Sequence, residues 1–198
     1  ELVVQAIEWI LSLIDGEVGN GGHDGGTAIS EFATGGSGAL GRRVVERIER
    51  EGGRVTIVAR APVAGHHTLV GDLSTPQGLD GVAEQAGSRA WDILINIAGI
   101  QHFGPLEQQT PEHLLATYMV NLVAPARLAQ AVLPGMKARK HGQIANVGSI
   151  FGSINFAHFA SYSSAKAGMR ALSQSLRREL AGTGVGVTYV APRAVATP

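Results

Sequence analysis

The chain has 198 residues, with 16 Lys and Arg against 16 Asp and Glu, 27 Gly and no Cys. This length fits one domain with a full hydrophobic core, and the absence of cysteine excludes disulfides, thiol catalysis and zinc–thiolate sites. A net charge of zero gives no electrostatic footprint for nucleic acid or an anionic membrane. No apolar stretch is long enough to span a bilayer, and none follows a basic leader. We therefore expect a cytoplasmic protein without nucleic-acid or membrane partners.

Residues 1–27 differ in character from the rest of the chain. An apolar helical pattern at Leu2–Ile14 is followed by a glycine-rich stretch up to Gly26. These residues contain no catalytic pattern, and we expect a helix that packs on the core and a linker. The catalytic domain is expected over 28–198.

From residue 28 onward, short β-branched runs alternate with helical patterns, which is typical of a parallel, doubly wound α/β sheet. The predicted strands are Ala28–Ala33, Arg54–Ala59, Thr68–Val70, Asp92–Asn96, Gln143–Val147 and Val185–Val190. The predicted helices are Leu40–Arg50, Gly78–Ala86, Pro111–Leu133 and Ser161–Leu180. Only 11 residues separate Arg60 from Asp72, so we expect the usual crossover helix to be missing or reduced to a turn there.

A glycine-rich turn lies between the first strand and the first helix, and residues 36–41 satisfy the pattern G-x-G-x-x-G. Glycines permit a sharp turn and a close approach of the backbone to a pyrophosphate, which binds at the helix N-terminus. The alternative is an ordinary glycine-rich loop, but the position between strand and helix favours dinucleotide binding. The turn is not a Walker A loop, because no Lys-Ser/Thr follows its last glycine.

The end of the second strand bears on the choice of dinucleotide. An acidic residue there binds the ribose hydroxyls of NAD, whereas an arginine accommodates the 2′-phosphate of NADP. The strand ends at Ala59 and Arg60, without a carboxylate. Arg60 is therefore a candidate selector for NADP(H) over NAD(H), the alternative being a solvated arginine at a strand end.

Tyr162 and Lys166 are four residues apart at the start of the last predicted helix, so they share one face. A tyrosine has an ordinary pKa of about 10, and a lysine ammonium one turn away would lower it by stabilising the phenolate. Ser149 follows the fifth strand and is placed to donate a hydrogen bond to a carbonyl oxygen. Taken alone, a Tyr-x-x-x-Lys pair is more often surface decoration than chemistry.

Together these motifs resemble those of the classical short-chain dehydrogenase/reductase family, over roughly residues 28–198. The matching segments, in family order, are Thr34–Gly41, Asp72-Leu73, Asn96-Ile97-Ala98-Gly99, the tetrad Asn121, Ser149, Tyr162 and Lys166, and Pro192–Thr197. The chain departs from the family pattern where Ala39 and Arg193 replace glycines and Ile97 replaces an asparagine.

The resemblance implies a single-domain Rossmann-type sheet of strand order 3-2-1-4-5-6. Members of the family commonly run longer, so we expect this chain to lack the C-terminal lid and the last strand. The implied activity is that of an NADP(H)-dependent oxidoreductase interconverting a ketone or aldehyde and an alcohol. The alternative is a truncated or non-catalytic dinucleotide-binding relative. A homo-oligomer, dimeric or tetrameric, is also implied.

The resemblance also assigns roles to individual residues. Tyr162 would exchange a proton with the substrate oxygen, Ser149 would position that oxygen, and Lys166 would bind the nicotinamide ribose and tune Tyr162. Asn121 would hold a water through its carbonyl, which Pro125 frees because proline has no N–H; a plain proline kink is the alternative. The expected cofactor-binding residues are Gly35, Ser37, Gly38, Leu40, Gly41, Arg60, Asp72, Leu73, Asn96, Ala98, Tyr162, Lys166, Pro192, Val195 and Thr197.

Two further expectations concern ligands. The seven histidines show no metal-ligand spacing with carboxylates, so we expect no metal. Four apolar residues between Ser149 and Tyr162 suggest a wall for a small apolar carbonyl or alcohol substrate, with core packing as the alternative. They are Phe151, Ile154, Phe156 and Phe159.

Overall fold

The computed structural model describes residues 30–192. The helix and linker predicted for residues 1–27, and the motif positions Val195 and Thr197, lie outside the described residues.

The described chain forms one parallel sheet of six strands. The strands are β1 Ser30–Thr34, β2 Arg54–Ala59, β3 His67–Val70, β4 Ile93–Asn96, β5 Gly142–Val147 and β6 Val185–Val190. Their order is β3-β2-β1-β4-β5-β6, and every neighbouring pair is parallel. The predicted Rossmann-type order is therefore confirmed.

Helices cover both faces of this sheet, as the nearly continuous apolar strands require. They are α1 Ala39–Arg50, α2 Pro76–Gly87, α3 Pro111–Tyr118, α4 Ala124–Arg139 and α5 Ala160–Glu179. Successive strand residues point to opposite faces: Phe32 packs in the cluster that includes Leu128 of α4, and Ala33 packs in the cluster that includes Val44 of α1. The core is thus two layers separated by the sheet.

The connection from β2 to β3 is short, as predicted. Residues 60–66, all of them described, form no helix. The Val63 amide instead donates to the Thr68 hydroxyl at 3.1 Å, which folds the connection back on β3. Ala59 of β2 pairs with Val70 of β3 in a parallel register, so Arg60 and Asp72 follow these strands at the same edge of the sheet.

The predicted helix Pro111–Leu133 is interrupted, which the sequence did not indicate. A π-helical turn, Met119–Val123, separates α3 from α4, and α4 then continues to Arg139. Pro125 lies in the first turn of α4 and cannot donate to the Asn121 carbonyl. Such π-helical turns occur often at functional sites, and this one contains Asn121, which has no exposed surface.

Glu31 is an acidic residue inside the central strand β1. It is 1% exposed, and neither carboxyl oxygen has a hydrogen-bond partner among the described residues. Burial, with smaller contributions from the negative charges of Asp92 and Glu51, raises the pKa of Glu31 from 4.5 to about 8. The carboxyl group is therefore protonated at neutral pH, which avoids a buried unpaired charge.

Glu31 should make the free energy of unfolding fall as the pH rises. Between pH 4.5 and about 8 the unfolded chain loses this proton while the folded protein keeps it. The contribution of Glu31 to the free energy of unfolding is thus fully present below pH 4.5 and is lost between there and about pH 8. The slope of this loss is at most about 1.4 kcal/mol per pH unit. In urea titrations from pH 5 to 8, Glu31→Gln should flatten this slope.

The matched control is Glu46→Gln on the exposed surface of α1, which should keep the wild-type slope. Equal slopes for Glu31→Gln and the wild type would show that Glu31 is ionised in the folded protein.

Candidate active site

The site is built where β1 and β4 end side by side. The Thr34 hydroxyl accepts hydrogen bonds from the amides of Ile97 and Ala98, each at 3.1 Å. Gly35 follows with φ +71°, and a Cβ there would lie 2.8 Å from the Ala98 nitrogen. The glycine turn is therefore held against the loop after β4. Thr34 was not assigned this role from the sequence, because its partners are more than 60 residues away.

The glycine turn leads directly into α1. The Gly38 amide donates to the Gly35 carbonyl at 3.0 Å, and a Cβ on Gly41 would lie within 2.0 Å of that oxygen. Gly38 is the residue that precedes α1, and no side chain of the described residues caps this helix. The first amides of α1 therefore remain available for an anionic group, which is the arrangement that binds phosphates.

A cleft of about 480 Å³ opens over this turn, and we call it the glycine cleft. Nine of the predicted cofactor residues line it: Gly35, Ser37, Gly38, Leu40, Gly41, Arg60, Asp72, Leu73 and Ala98. The predicted residue Asn96 is 1% exposed and donates to Asn146 at 2.8 Å. It is not part of the described walls of the glycine cleft.

Charge in the glycine cleft is concentrated at Arg60 and Asp72. Hydrogen bonds from the hydroxyl and the amide of Ser74 lower the pKa of Asp72, and the positive charge of Arg60 lowers it further. Arg60 is exposed at the end of β2. One hydrogen-bonded carboxylate and one exposed guanidinium thus border the same cleft.

A second cleft of about 510 Å³, the tyrosine cleft, contains Ser149, Tyr162, Lys166 and Pro192. It shares four wall residues with the glycine cleft: Leu40, Ile97, Gly99 and Ile100. The two clefts are therefore neighbouring parts of one depression, so the structure brings most of the predicted cofactor and catalytic residues together.

Lys166 is buried beneath Tyr162. Its ammonium donates to the Val147 carbonyl at 3.0 Å and lies 5.7 Å from the centre of the Tyr162 ring. Burial lowers the pKa of Lys166 to about 8. Burial also raises the pKa of Tyr162, and hydrogen bonding with Ser149 only partly offsets this. The expected lowering of the tyrosine pKa is not found, because burial of the phenol outweighs the opposing effect of Ser149.

Asn121 reaches the same region from the π-helical turn. Its side-chain amide donates to the Ile100 carbonyl at 2.7 Å and to the Thr117 carbonyl at 2.8 Å. Its Oδ1 atom is buried without a partner among the described residues. A Cβ on Gly99 would lie 3.0 Å from this oxygen and 3.5 Å from the Lys166 nitrogen. A polar acceptor and an ammonium therefore face the same glycine.

Tyr189 of β6 is a neighbour of Ser149 that sequence reasoning missed. Its hydroxyl lies 3.5 Å from the Ser149 amide and 3.4 Å from the Ser149 carbonyl. A Cβ on Gly148 would overlap the Tyr189 ring, so the glycine makes room for it. Strand alternation gives no indication of this contact, because Gly148 lies in the loop after β5, 41 residues away in the chain.

Two negative findings apply to residues 30–192. None of their helices is both long and apolar enough to cross a membrane. No three of their His, Cys, Asp or Glu side chains are grouped in a way that would hold a metal ion.

A glycine turn at a helix N-terminus beside a cleft that contains serine, tyrosine and lysine is typical of dinucleotide-dependent oxidoreductases. Comparison with known proteins agrees: a family model described as short chain dehydrogenase matches residues 32–198. The chain is 36% identical over 180 residues to 2,3-dihydroxy-2,3-dihydro-p-cumate dehydrogenase of Pseudomonas putida, covering 83% of this chain and 70% of that one. The protein belongs to the short-chain dehydrogenase family and is an NAD(P)-dependent enzyme.

Solved structures show the same fold. A short-chain dehydrogenase from Sphingobium yanoikuyae in complex with NADPH gives a TM-score of 0.80 at 32% identity, covering 85% of this chain and 72% of that one. A short-chain dehydrogenase from Leptospira borgpetersenii with bound NAD⁺ gives 0.77 at 25% identity, covering 87% and 73%. Since both cofactors occur among these structures, the fold alone does not select one.

Gly41→Ala should weaken binding of NADPH by at least about tenfold, or about 1.4 kcal/mol. The added methyl group would overlap the Gly35 carbonyl, so the turn must move away from its phosphate-binding geometry. Calorimetric titration of NADPH into the variant measures this loss.

Gly81→Ala is the matched control, because a Cβ there meets no described atom within 4 Å. This helical substitution should leave NADPH affinity unchanged. Unchanged affinity in Gly41→Ala as well would remove the glycine turn from the cofactor site.

Proposed function

We propose that the protein is an NADP(H)-dependent oxidoreductase that interconverts a ketone or aldehyde and the corresponding alcohol. The observation that carries this proposal is the continuity of the two clefts through Leu40, Ile97, Gly99 and Ile100. A dinucleotide with its phosphates at α1 would extend through this depression towards Tyr162. The relative from Pseudomonas putida is named for dehydrogenation of a diol, which supports chemistry at a carbinol carbon.

The residues present fit a nicotinamide dinucleotide. Gly35 and Gly41 leave no room for a Cβ, and the first amides of α1 have no capping side chain among the described residues. Arg60 would bind the 2′-phosphate and Asp72-Leu73 would flank the adenine. Lys166 and Pro192 would contact the nicotinamide riboside end. When bound, the cofactor supplies or accepts the hydride.

Side chains of the tyrosine cleft would donate and accept the proton of the reaction. Tyr162 would donate its phenolic proton to the oxygen of a carbonyl during reduction and take it back during oxidation. With a pKa above the ordinary value of about 10, the phenol carries its proton at neutral pH, as a proton donor in the reductive direction must. Ser149 would donate a hydrogen bond to the same oxygen and hold it beside the phenol.

Lys166 would favour the phenolate that remains after proton transfer. Its ammonium is buried, so its charge is poorly screened and acts strongly on a nearby anion. The Asn121 carbonyl and its unpartnered Oδ1 atom would hold a water near this ammonium, through which the proton would be replaced.

We propose that residues 28–198 form the catalytic domain, that the protein is a homo-oligomer and that its substrate is small and apolar. The apolar wall formed by Phe151 and Phe159 supports the last point, because both rings line the tyrosine cleft.

Tyr162→Phe should reduce kcat by about 10²–10⁴-fold, the usual contribution of general acid–base assistance. Only the hydroxyl is lost, so NADPH affinity should stay near the wild-type value. Loss of NADPH absorbance with a panel of ketones measures turnover, and calorimetry measures binding.

Tyr118→Phe serves as the control, because that hydroxyl bonds to Ser164. It should retain full activity. Wild-type turnover in Tyr162→Phe would refute the proton-transfer role, while NADPH binding without turnover of any carbonyl by the wild type would favour a non-catalytic relative.

Arg60→Ala should weaken NADPH binding by about ten- to a hundredfold and leave NADH binding nearly unchanged. A guanidinium meets a phosphate with two charge-assisted hydrogen bonds, which NADH cannot offer at that position. Calorimetric titration of both cofactors provides the comparison, with Arg50→Ala at the exposed end of α1 as the control. Equal affinities of the wild type for the two cofactors would contradict the assignment.

A further inference from the structure

Four of the five phenylalanines in the chain lie in one cluster beside Tyr162. The cluster consists of Phe103, Phe151, Phe156 and Phe159, and we call it the aromatic wall. Aromatic residues make up only 5% of the chain. These four phenylalanines lie outside the two core layers, so packing of the core does not account for the cluster.

Rings of the aromatic wall face one another at steep angles. Phe151 meets Phe159 at 4.7 Å between ring centres with an interplanar angle of 66°, and Tyr162 at 6.3 Å with 84°. Edge-to-face pairs of this kind leave ring edges and faces available for a further aromatic group at matching angles. Phe151, Phe159 and Tyr162 all line the tyrosine cleft.

Phe103 extends the wall outward and is 71% exposed. Its ring contacts Phe159 at 5.1 Å and His158 at 5.5 Å. An exposed phenylalanine continuous with a lined cleft marks a ligand-binding surface more often than an isolated one does.

The backbone holds this rim in place. The Gly104 amide donates to the His158 carbonyl at 3.1 Å, which ties the loop after β4 to the segment before α5. His158 has φ +68°, a left-handed backbone conformation that residues other than glycine seldom adopt. Strain of this kind persists where the surrounding structure fixes the position, commonly at ligand sites.

We propose that the substrate carries an aromatic ring close to the reacting carbonyl or carbinol carbon, and that Phe159 and Phe103 bind this ring. The inference rests on the proposed function, because the substrate oxygen must reach Tyr162. A flat ring packs edge-to-face against Phe159 and Phe151, whereas a saturated ring of similar size gains only apolar contact.

The test compares 4-phenyl-2-butanone with 4-cyclohexyl-2-butanone. Two methylene groups separate the ring from the carbonyl in both, so the carbonyls have similar intrinsic reactivity. The wild type should favour the phenyl compound by about three- to tenfold in kcat/KM, mainly through KM, because ring binding acts equally on ground and transition states.

Three variants test which residues cause the preference for the phenyl ketone. Phe159→Leu should lower kcat/KM for the phenyl ketone more than for the cyclohexyl ketone and so bring the ratio of the two close to one. Phe103→Leu should lower the ratio in part, and this exposed site tolerates replacement. Leu115→Ala, at an exposed apolar residue outside both the aromatic wall and the described walls of the tyrosine cleft, should keep the wild-type ratio.

Calorimetric titration of the two corresponding alcohols into the NADPH-loaded protein gives a readout without turnover, and the phenyl alcohol should bind more tightly by the same factor. A ratio near one in the wild type, with both ketones reduced, would overturn this inference and leave the proposed function intact. Failure to reduce any carbonyl would overturn the proposed function, and equal alcohol affinities would then overturn the aromatic preference separately.

Discussion

The hydroxyl of Thr34 accepts two amide hydrogen bonds from the loop after β4, and the site depends on this junction. In the strand order found here the chain runs from β1 outward to β2 and β3 and then crosses to β4 on the other side of β1, which creates a crevice at the carboxyl ends of β1 and β4. Thr34 fixes the distance across that crevice. Gly35 can then lie against Ala98, and the first turn of α1 faces the same opening.

Burial shifts the pKa values of the titratable side chains in the tyrosine cleft. Desolvation lowers the pKa of Lys166 and raises the pKa of Tyr162, so both groups are shifted towards their neutral forms. With these shifts the phenol of Tyr162 keeps its proton, and the pKa values of both groups respond to any negative charge that develops beside them. Ser149 partly lowers the pKa of Tyr162 again, and the Tyr189 hydroxyl borders the Ser149 backbone.

Sequence patterns were sufficient for the parallel α/β class, the short β2–β3 connection and the glycine turn, because these follow from local alternation and from residues close in the chain. The strand order came from the family resemblance. Sequence patterns failed at the π-helical turn Met119–Val123, since a single inserted residue hardly alters helical periodicity. The contacts of Thr34 and of Tyr189 also escaped prediction, because both join residues far apart in the chain.

Burial of Glu31 was equally hidden from the sequence. From the sequence, an acidic residue in a strand is expected to be exposed to solvent. Glu31 is buried because helices cover both faces of the sheet. The direction of the Tyr162 pKa shift was missed for a related reason: four-residue spacing places Lys166 on the same face but says nothing about desolvation.

The central claim is that one continuous cleft aligns a dinucleotide with a carbonyl held by Ser149 and Tyr162. The most direct measurement is isotope transfer, using NADPH with deuterium at both C4 positions of the nicotinamide and 4-phenyl-2-butanone as substrate. Mass spectrometry of the alcohol should find a deuterium on its carbinol carbon. Alcohol without deuterium at that carbon, or no alcohol at all, would contradict the account.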